Sequence, residues 1–387
     1  MKRIGSLVLA VLLLTGTASA QEAAAPSPLE LSAPSAVLME KETGTILYEK
    51  EAKRQMEPAS VTKVMTLLLI MEALDSGRIS REDVVTVSAR AAGMGGSQVY
   101  LKEGEQMSVS ELLKCITVVS GNDAAVAMAE YLSGSEAAFV AEMNLRAREL
   151  GMADTNFVNC TGLPAQGHLT SAHDIALMSR ELVLNHPGIR EYTTIWMDSI
   201  RNGAFGLTNT NRLVRFYQGA TGLKTGSTDS ALYCLSGTAE RDGMELISVI
   251  LKAPTSAQRF EDAQALLNMG FSTYTLIHAV PETPLAPVPV SLGTQATVQP
   301  VVGEGGTLVL EKALAAGLTQ TITLAESVEA PVAAGDQLGT LQLFSGETPV
   351  AELPLLAGED VPRITYREMF SRVLRTAFLC AGASSQQ

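Results

Sequence analysis

The sequence predicts an α+β protein: a sheet covered by helices with an all-helical subdomain, then a small all-β domain and a C-terminal amphipathic helix. Three observations carry this. Strand-like runs open the ordered region, several helices follow, and strands with one more helix close it, the pattern of a sheet packed under helices. The composition then turns Pro-rich at "VPETPLAPVPV", and the chain beyond it alternates apolar and polar residues to about Asp360. The end of the chain is basic and repeats its apolar residues at helical spacing.

The elements follow in order. Residues 1–20 combine Lys2 and Arg3, an apolar run from Ile4 to about Leu14, and Ala18-Ser19-Ala20, the layout of a secretory signal peptide. The mature chain is expected to start at Gln21, with a short Ala/Pro/Ser lead-in over 21–33. "SAVLMEKETGTILYEKEA" reads as two strands around Glu42-Thr43-Gly44. The apolar run "VMTLLLIMEAL" reads as a buried helix that Ser60 heads and that ends near Gly77. Ser108-x-x-Glu111 is a capping box for the next helix, which breaks at Ser120-Gly121-Asn122 and resumes through "DAAVAMAEYL". "EAAFVAEMNLRARELG" and "SAHDIALMSRELVLNH" give further helices. From about residue 219, "GATGLKTGS", "DSALYCLSGTAERDG" and "MELISVILKAP" are strands, closed by the helix "SAQRFEDAQALLNMGF". The expected domains are 34–276 and 277–360, with a terminal helix over 361–381.

With 387 residues, 46% of them hydrophobic, the chain has ample core for two or more domains. Its net charge of -13 excludes a phosphate-backbone binder, which needs surplus Lys and Arg, so no nucleic-acid partner is expected. Ten acidic residues and one Lys lie between Pro281 and Asp360. The tail reverses this: Arg363, Arg367, Arg372 and Arg375 face only Glu368, beside Tyr366, Met369, Phe370, Val373, Leu374, Ala377 and Phe378 on one helical face. A basic amphipathic helix on an acidic exported protein reads as a membrane-surface anchor; docking on the β domain is the alternative. Cys115, Cys160, Cys234 and Cys380 show no C-x-x-C spacing, and no structural disulfide is expected.

Three short elements carry chemistry: Ser60-Val61-Thr62-Lys63, Ser120-Gly121-Asn122 and Lys224-Thr225-Gly226. Singly each is weak, because a Ser before a helix is usually a cap. Together and in this order they match S-x-x-K, S-D-N and K-T-G. At a helix N-terminus Ser60 would present an unpaired N–H to a developing oxyanion. Lys63, one turn on in an apolar helix and near a second cation, Lys224, would favour the neutral amine that can deprotonate Ser60. Ser120 would relay a proton to a leaving amine, and Asn122 would hold Lys63 and a substrate amide. Lys224 and Thr225 would meet a carboxylate. Gly226 would let an extended peptide lie on the strand edge, and the Ser227 N–H would be the second oxyanion donor.

With "PASVTKVMT", "SGNDAAVAMAE", "NCTGLPAQGHLTSAHDIALMSREL", "GATGLKTGST" and "APTSAQRFEDAQALLNMGF", residues 34–275 resemble the serine D-alanyl-D-alanine carboxypeptidases, the low-molecular-mass penicillin-binding proteins. The later β domain and basic terminal helix match that family's architecture too. The resemblance implies a β-lactamase/transpeptidase-like sheet and acylation of Ser60 by a peptidoglycan stem pentapeptide ending in D-Ala-D-Ala. It further implies release of D-alanine, hydrolysis of the acyl-enzyme, inhibition by β-lactams, and no cofactor. It places Arg259 near the substrate carboxylate. Some members carry His where this chain has Ser227, which a backbone donor does not need. Expected localisation is the outer face of the cytoplasmic membrane.

Three other readings compete. "HLTSAHD" offers His168, His173 and Asp174 to a zinc peptidase, but the spacing is not H-E-x-x-H and no third ligand site declares itself. A class A β-lactamase shares the three elements but gives no reason for the acidic β domain and basic tail. A binding module that acylates but deacylates slowly or never turns over is at odds with intact Ser60, Lys63 and Ser120.

Overall fold

The computed structural model describes residues 29–303 and 306–383. The expected signal peptide, 1–20, and the expected lead-in as far as residue 28 lie outside the described residues, as do the side chains of Arg375, Ala377, Phe378 and Cys380.

Five antiparallel strands form the main sheet: β1 (Ser35–Glu40), β2 (Ile46–Lys50), β3 (Ala220–Thr228), β4 (Leu232–Arg241) and β5 (Met244–Ala253), in the order β2-β1-β5-β4-β3. The β1–β2 turn is fixed by a buried acid: Glu40 accepts from the N–H groups of Glu42 (2.9 Å) and Thr43 (2.7 Å). β5 sits mid-sheet and is buried except at Lys252, so it reads as one apolar run. β3 is an edge strand whose outer side meets no other strand of the sheet.

Helices cover both faces. α6 (Ser256–Thr273), capped by the Thr255 hydroxyl, packs on β4 and β5. α5 (Ala172–Asn185), capped by Ser171, packs across β1 and β5 and against α1 (Lys63–Asp75). α1 is buried on nearly every side, as a helix that is apolar nearly all round must be. Around it stand α2 (Val109–Val118), with the Ser108–Glu111 capping box formed, α3 (Asn122–Ser133) and α4 (Glu136–Glu149). Cys115, Cys160 and Cys234 are buried in this core and unpaired.

The β-rich region starts earlier than the Pro-rich stretch suggests. β6 (Tyr274–His278) leaves α6 without a linker and pairs with β8 (Thr307–Glu311), crossing the expected 276/277 boundary. A four-stranded sheet runs β7-β11-β10-β9, from β7 (Pro300–Val302), β9 (Leu318–Leu324), β10 (Gln337–Ser345) and β11 (Thr348–Ala357). Leu341, Leu343, Leu353 and Leu355 form its core, the inward half of the period-2 pattern. α7 (Tyr366–Ala383) follows. Tyr366, Phe370 and Val373 stand in solvent, while Arg372 donates to the carbonyls of Gly293 (3.2 Å) and Thr294. Among the described residues no helix is long and apolar enough to cross a membrane.

Candidate active site

Ser60 does not head α1. It sits in a one-turn 3-10 helix, Ala59–Thr62, and α1 begins at Lys63. Tertiary contacts impose this short turn, in which Ala59 takes φ +49°. Gly162 (φ +84°) lies so close beneath it that a Cβ there would stand 1.8 Å from the Ala59 carbonyl oxygen. Gly226 on β3 closes the other side, where a Cβ would be 2.8 Å from the Ser60 nitrogen. The bare α-carbon of Gly226 thus admits the nucleophile turn itself, which corrects the expectation that it makes room for a peptide. Below, Thr62 Oγ1 donates to the Ala59 carbonyl (2.9 Å).

Lys63 is wholly buried and its Nζ meets three oxygens: Ser60 Oγ at 3.1 Å, Asn122 Oδ1 at 2.6 Å and the Thr161 carbonyl at 2.8 Å. Burial lowers its pKa to about 7, against a smaller upward pull from nearby acidic groups that include Asp123. The amine is thus poised to exchange a proton with Ser60 near neutrality, as a general base for a hydroxyl nucleophile must.

Two side chains from the α2–α3 connection complete this wall. Ser120 is 4% exposed, sits at φ +64°, and its Oγ has no hydrogen-bond partner among the described residues. A buried hydroxyl left unpaired is costly, which marks Ser120 as a candidate for a functional role. Asn122 holds Lys63 as expected, but its amide also donates to the Gly95 carbonyl (2.7 Å), leaving one proton for a substrate amide. Sequence reasoning passed over Asp123, whose carboxylate accepts from the N–H groups of Val99 (3.0 Å), Leu101 (3.1 Å) and Ala124 (2.9 Å) and stitches the 95–101 loop to α3. It also missed Thr161, which acts through a backbone carbonyl. Asn159 bends the chain there by accepting from the N–H groups of Thr161 (3.1 Å) and Gly162 (2.7 Å).

The facing wall is β3. Lys224 is buried, its Nζ donating to the Thr225 carbonyl (2.9 Å); burial, then the Lys63 and Arg259 charges, hold its pKa well below normal. Thr225 Oγ1 lies 2.7 Å from Thr210 Oγ1. Ser227 is exposed at the end of the strand. Arg259 reaches β3 from α6, donating to the carbonyls of Gly226 and Cys234 (both 3.2 Å) and to Ser256 Oγ (3.2 Å). Its Nε is buried without a partner among the described residues, and burial brings its pKa down to about 10. Among the described residues all the acceptors bonded to Lys63, Lys224 and Arg259 are neutral, so any positive charge these groups carry is left free to meet an anionic group.

The histidines do other work. His168 Nδ1 accepts from the Val158 N–H (3.0 Å), which assigns the ring proton to Nε2, and Nε2 lies 2.8 Å from Thr62 Oγ1. Both nitrogens are spent on the nucleophile turn, and burial lowers the ring's pKa to about 4. His173 lies beside Asp174 (3.3 Å) on α5. Elsewhere Glu72, Glu181 and His186 approach one another, but Arg146 bridges the two carboxylates at 2.7 and 2.6 Å.

Comparison with known proteins decides the family. The D-alanyl-D-alanine carboxypeptidase family matches residues 20–255, more than half of the chain. The chain belongs to the D-alanyl-D-alanine carboxypeptidase family. Residues 271–363 of this carboxypeptidase-family chain match the penicillin-binding protein 5 C-terminal domain. The D-alanyl-D-alanine carboxypeptidase DacF of Bacillus subtilis is 40% identical over 384 residues, covering 97% of this chain and 98% of that protein. Penicillin-binding protein 5 of Haemophilus influenzae superposes with a TM-score of 0.77 at 28% identity, over 87% of this chain and 99% of that one. Penicillin-binding protein D2 of Listeria monocytogenes, solved in an ampicillin-bound form, covers 63% of this chain and 99% of its own at 37% identity and a TM-score of 0.58.

Proposed function

We propose that this chain is an exported, penicillin-sensitive serine DD-carboxypeptidase that removes the terminal D-alanine from peptidoglycan stem pentapeptides. The observation that carries the reading is the contact of Lys63 Nζ with Ser60 Oγ at 3.1 Å, made by an amine whose pKa is about 7. Family membership and the likeness to DacF give the substrate class.

In this mechanism neutral Lys63 takes the Ser60 proton as Oγ attacks the carbonyl of the penultimate D-alanine. The N–H groups of Ser60 and Ser227 receive the oxyanion. The C–N bond breaks, and the proton held on Lys63 passes through the unpaired Ser120 hydroxyl to the departing amine. Lys224 and Thr225 hold the terminal carboxylate, and Arg259, which donates to the Gly226 carbonyl of that strand, lies near it. Water then hydrolyses the ester. A β-lactam carbonyl meets the same nucleophile; the ampicillin-bound relative supports this. Lys2, Arg3 and the Ala18-Ser19-Ala20 site support export. The solvent-facing Tyr366, Phe370 and Val373 of α7, with Arg363 and Arg367, support attachment at the outer face of the cytoplasmic membrane.

Incubation with diacetyl-Lys-D-Ala-D-Ala tests the reaction: the wild type should release D-alanine and Ser60→Ala should not. Undiminished release from Ser60→Ala, or loss of release with EDTA, would sink the serine mechanism. A lasting fluorescent-penicillin label with no D-alanine release would instead favour a binding module, and rapid penicillin turnover a β-lactamase. Deleting the chain after Pro362 should free the protein from membranes.

A further inference from the structure

We propose that Thr210 is a positioning residue for the substrate's terminal carboxylate, acting through the hydroxyl of Thr225. The inference rests on the carboxypeptidase reading above. Thr210 Oγ1 lies 2.7 Å from Thr225 Oγ1, and the Thr210 backbone N–H donates to the Val118 carbonyl (3.0 Å), two residues before Ser120. One residue thus touches both walls of the cleft.

Its flanks are fixed by two buried asparagines. Asn209 donates to the Ile195 carbonyl (2.7 Å) and accepts from the Asn211 N–H (2.8 Å). Asn211 donates to the Gly222 carbonyl on β3 (2.8 Å) and accepts from the Leu213 N–H (3.1 Å). Asn209 and Asn211 are 5% and 1% exposed, yet Thr210 between them is exposed. The backbone is therefore held on both sides, while Thr210 itself keeps exposed surface and its hydroxyl meets that of Thr225.

The hydrogen-bond logic gives the role. Two hydroxyls 2.7 Å apart share one donated proton, and in the empty site either can give it. A carboxylate is the stronger acceptor and takes the Thr225 proton. Thr225 Oγ then accepts from Thr210, the nearest donor, and the relay Thr210 to Thr225 to carboxylate is polarised in one direction. Without the Thr210 hydroxyl, Thr225 loses its orienting partner. A neutral terminal amide draws less on this relay than a carboxylate does.

The test compares Thr210→Val and Thr210→Ser with wild type on diacetyl-Lys-D-Ala-D-Ala and on the same peptide ending in a carboxamide. Thr210→Val should lower kcat/KM on the acid about 3- to 10-fold, mainly through KM, and change the amide by less than about twofold. Thr210→Ser should restore the acid. Equal losses on acid and amide, no loss on either, or a Ser variant as poor as Val would overturn the proposal. Should Thr210→Val fail to fold by its melting curve, Thr210→Ala carries the same comparison. If wild type releases no D-alanine at all, the carboxypeptidase reading fails. The proposal is then decided by acylation of Ser60 with fluorescent penicillin against its methyl ester: slowing of the acid alone supports it, and equal or no slowing overturns it.

Discussion

Lys63 Nζ lies 2.6 Å from Asn122 Oδ1, closer than the 3.1 Å to the Ser60 hydroxyl that it serves. A neutral oxygen, and no carboxylate, is thus the tightest partner of this amine among the described residues. That choice leaves burial free to hold the pKa near 7.

The pH profile follows. Acylation by peptide or penicillin should rise as pH climbs through about 7 and level off above, because only the neutral amine accepts the Ser60 proton. Below that midpoint the rate should fall about tenfold per unit. Asn122→Asp places a negative charge beside Lys63, favours its protonated form, and should move this limb to higher pH. A stopped-flow acylation profile of both proteins checks it; an unmoved limb in the variant would assign the pKa to another group.

The same amine has a stability signature. A lysine in the unfolded chain keeps its proton up to about 10.5, whereas folded Lys63 gives it up at about 7. Between these values the unfolded state binds more protons, so the contribution of Lys63 makes stability rise with pH across that window and weighs against the fold below it. Lys63→Met should therefore raise the urea midpoint over wild type at pH 7, and the gain should shrink towards pH 10. A variant less stable than wild type at pH 7 would show that the three hydrogen bonds outweigh the burial cost.

Gly162→Ala should be severe. Its Cβ would enter the Ala59 carbonyl at 1.8 Å and hold a φ of +84° that alanine disfavours. Destabilisation of about 2–4 kcal/mol is expected, with loss of penicillin labelling in whatever protein folds. Thermal melts and a labelling gel read both, and near-normal labelling would mean that the turn can move.

His168→Phe fills similar space but leaves the Val158 N–H and the Thr62 hydroxyl short of a partner, at a cost of about 1–3 kcal/mol. Wild type should show a related acid sensitivity. The folded ring's pKa is about 4 against 6.5 unfolded, so the unfolded state binds more protons between them and stability falls as pH drops through that window. Denaturant midpoints from pH 7 to 4 should show this slope in wild type and lose it in His168→Phe.

Much of the fold was legible because its signals are local. The Ser108–Glu111 box and the apolar run of β5 mark elements by their own residues. The position of Ser60 was not local. An apolar run of this kind reads as a helix from its first residue, and only Gly162 and Gly226, each a hundred or more positions away, turn Ala59–Thr62 into a tighter coil. Gly226 was misread for the same reason, since sequence cannot say which backbone a missing side chain admits. Thr161 acts through its carbonyl and has no signature of its own, although Asn159 hints at the turn. The three short elements were legible because their order is itself information. β6 hid in the seam because it continues straight out of α6, before the prolines that announce the next region.

The three oxygens around Lys63 come from three separate lengths of chain: the nucleophile turn, the start of α3 and the Asn159–Gly162 bend. An ammonium can tie all three at once, whereas a free amine has only two protons to give. In the mechanism proposed above, each proton transfer through Lys63 would therefore loosen and retie these contacts. The rhythm of that chemistry would also be a rhythm of local stiffness, felt at the Thr161–Gly162 peptide as much as at Ser60.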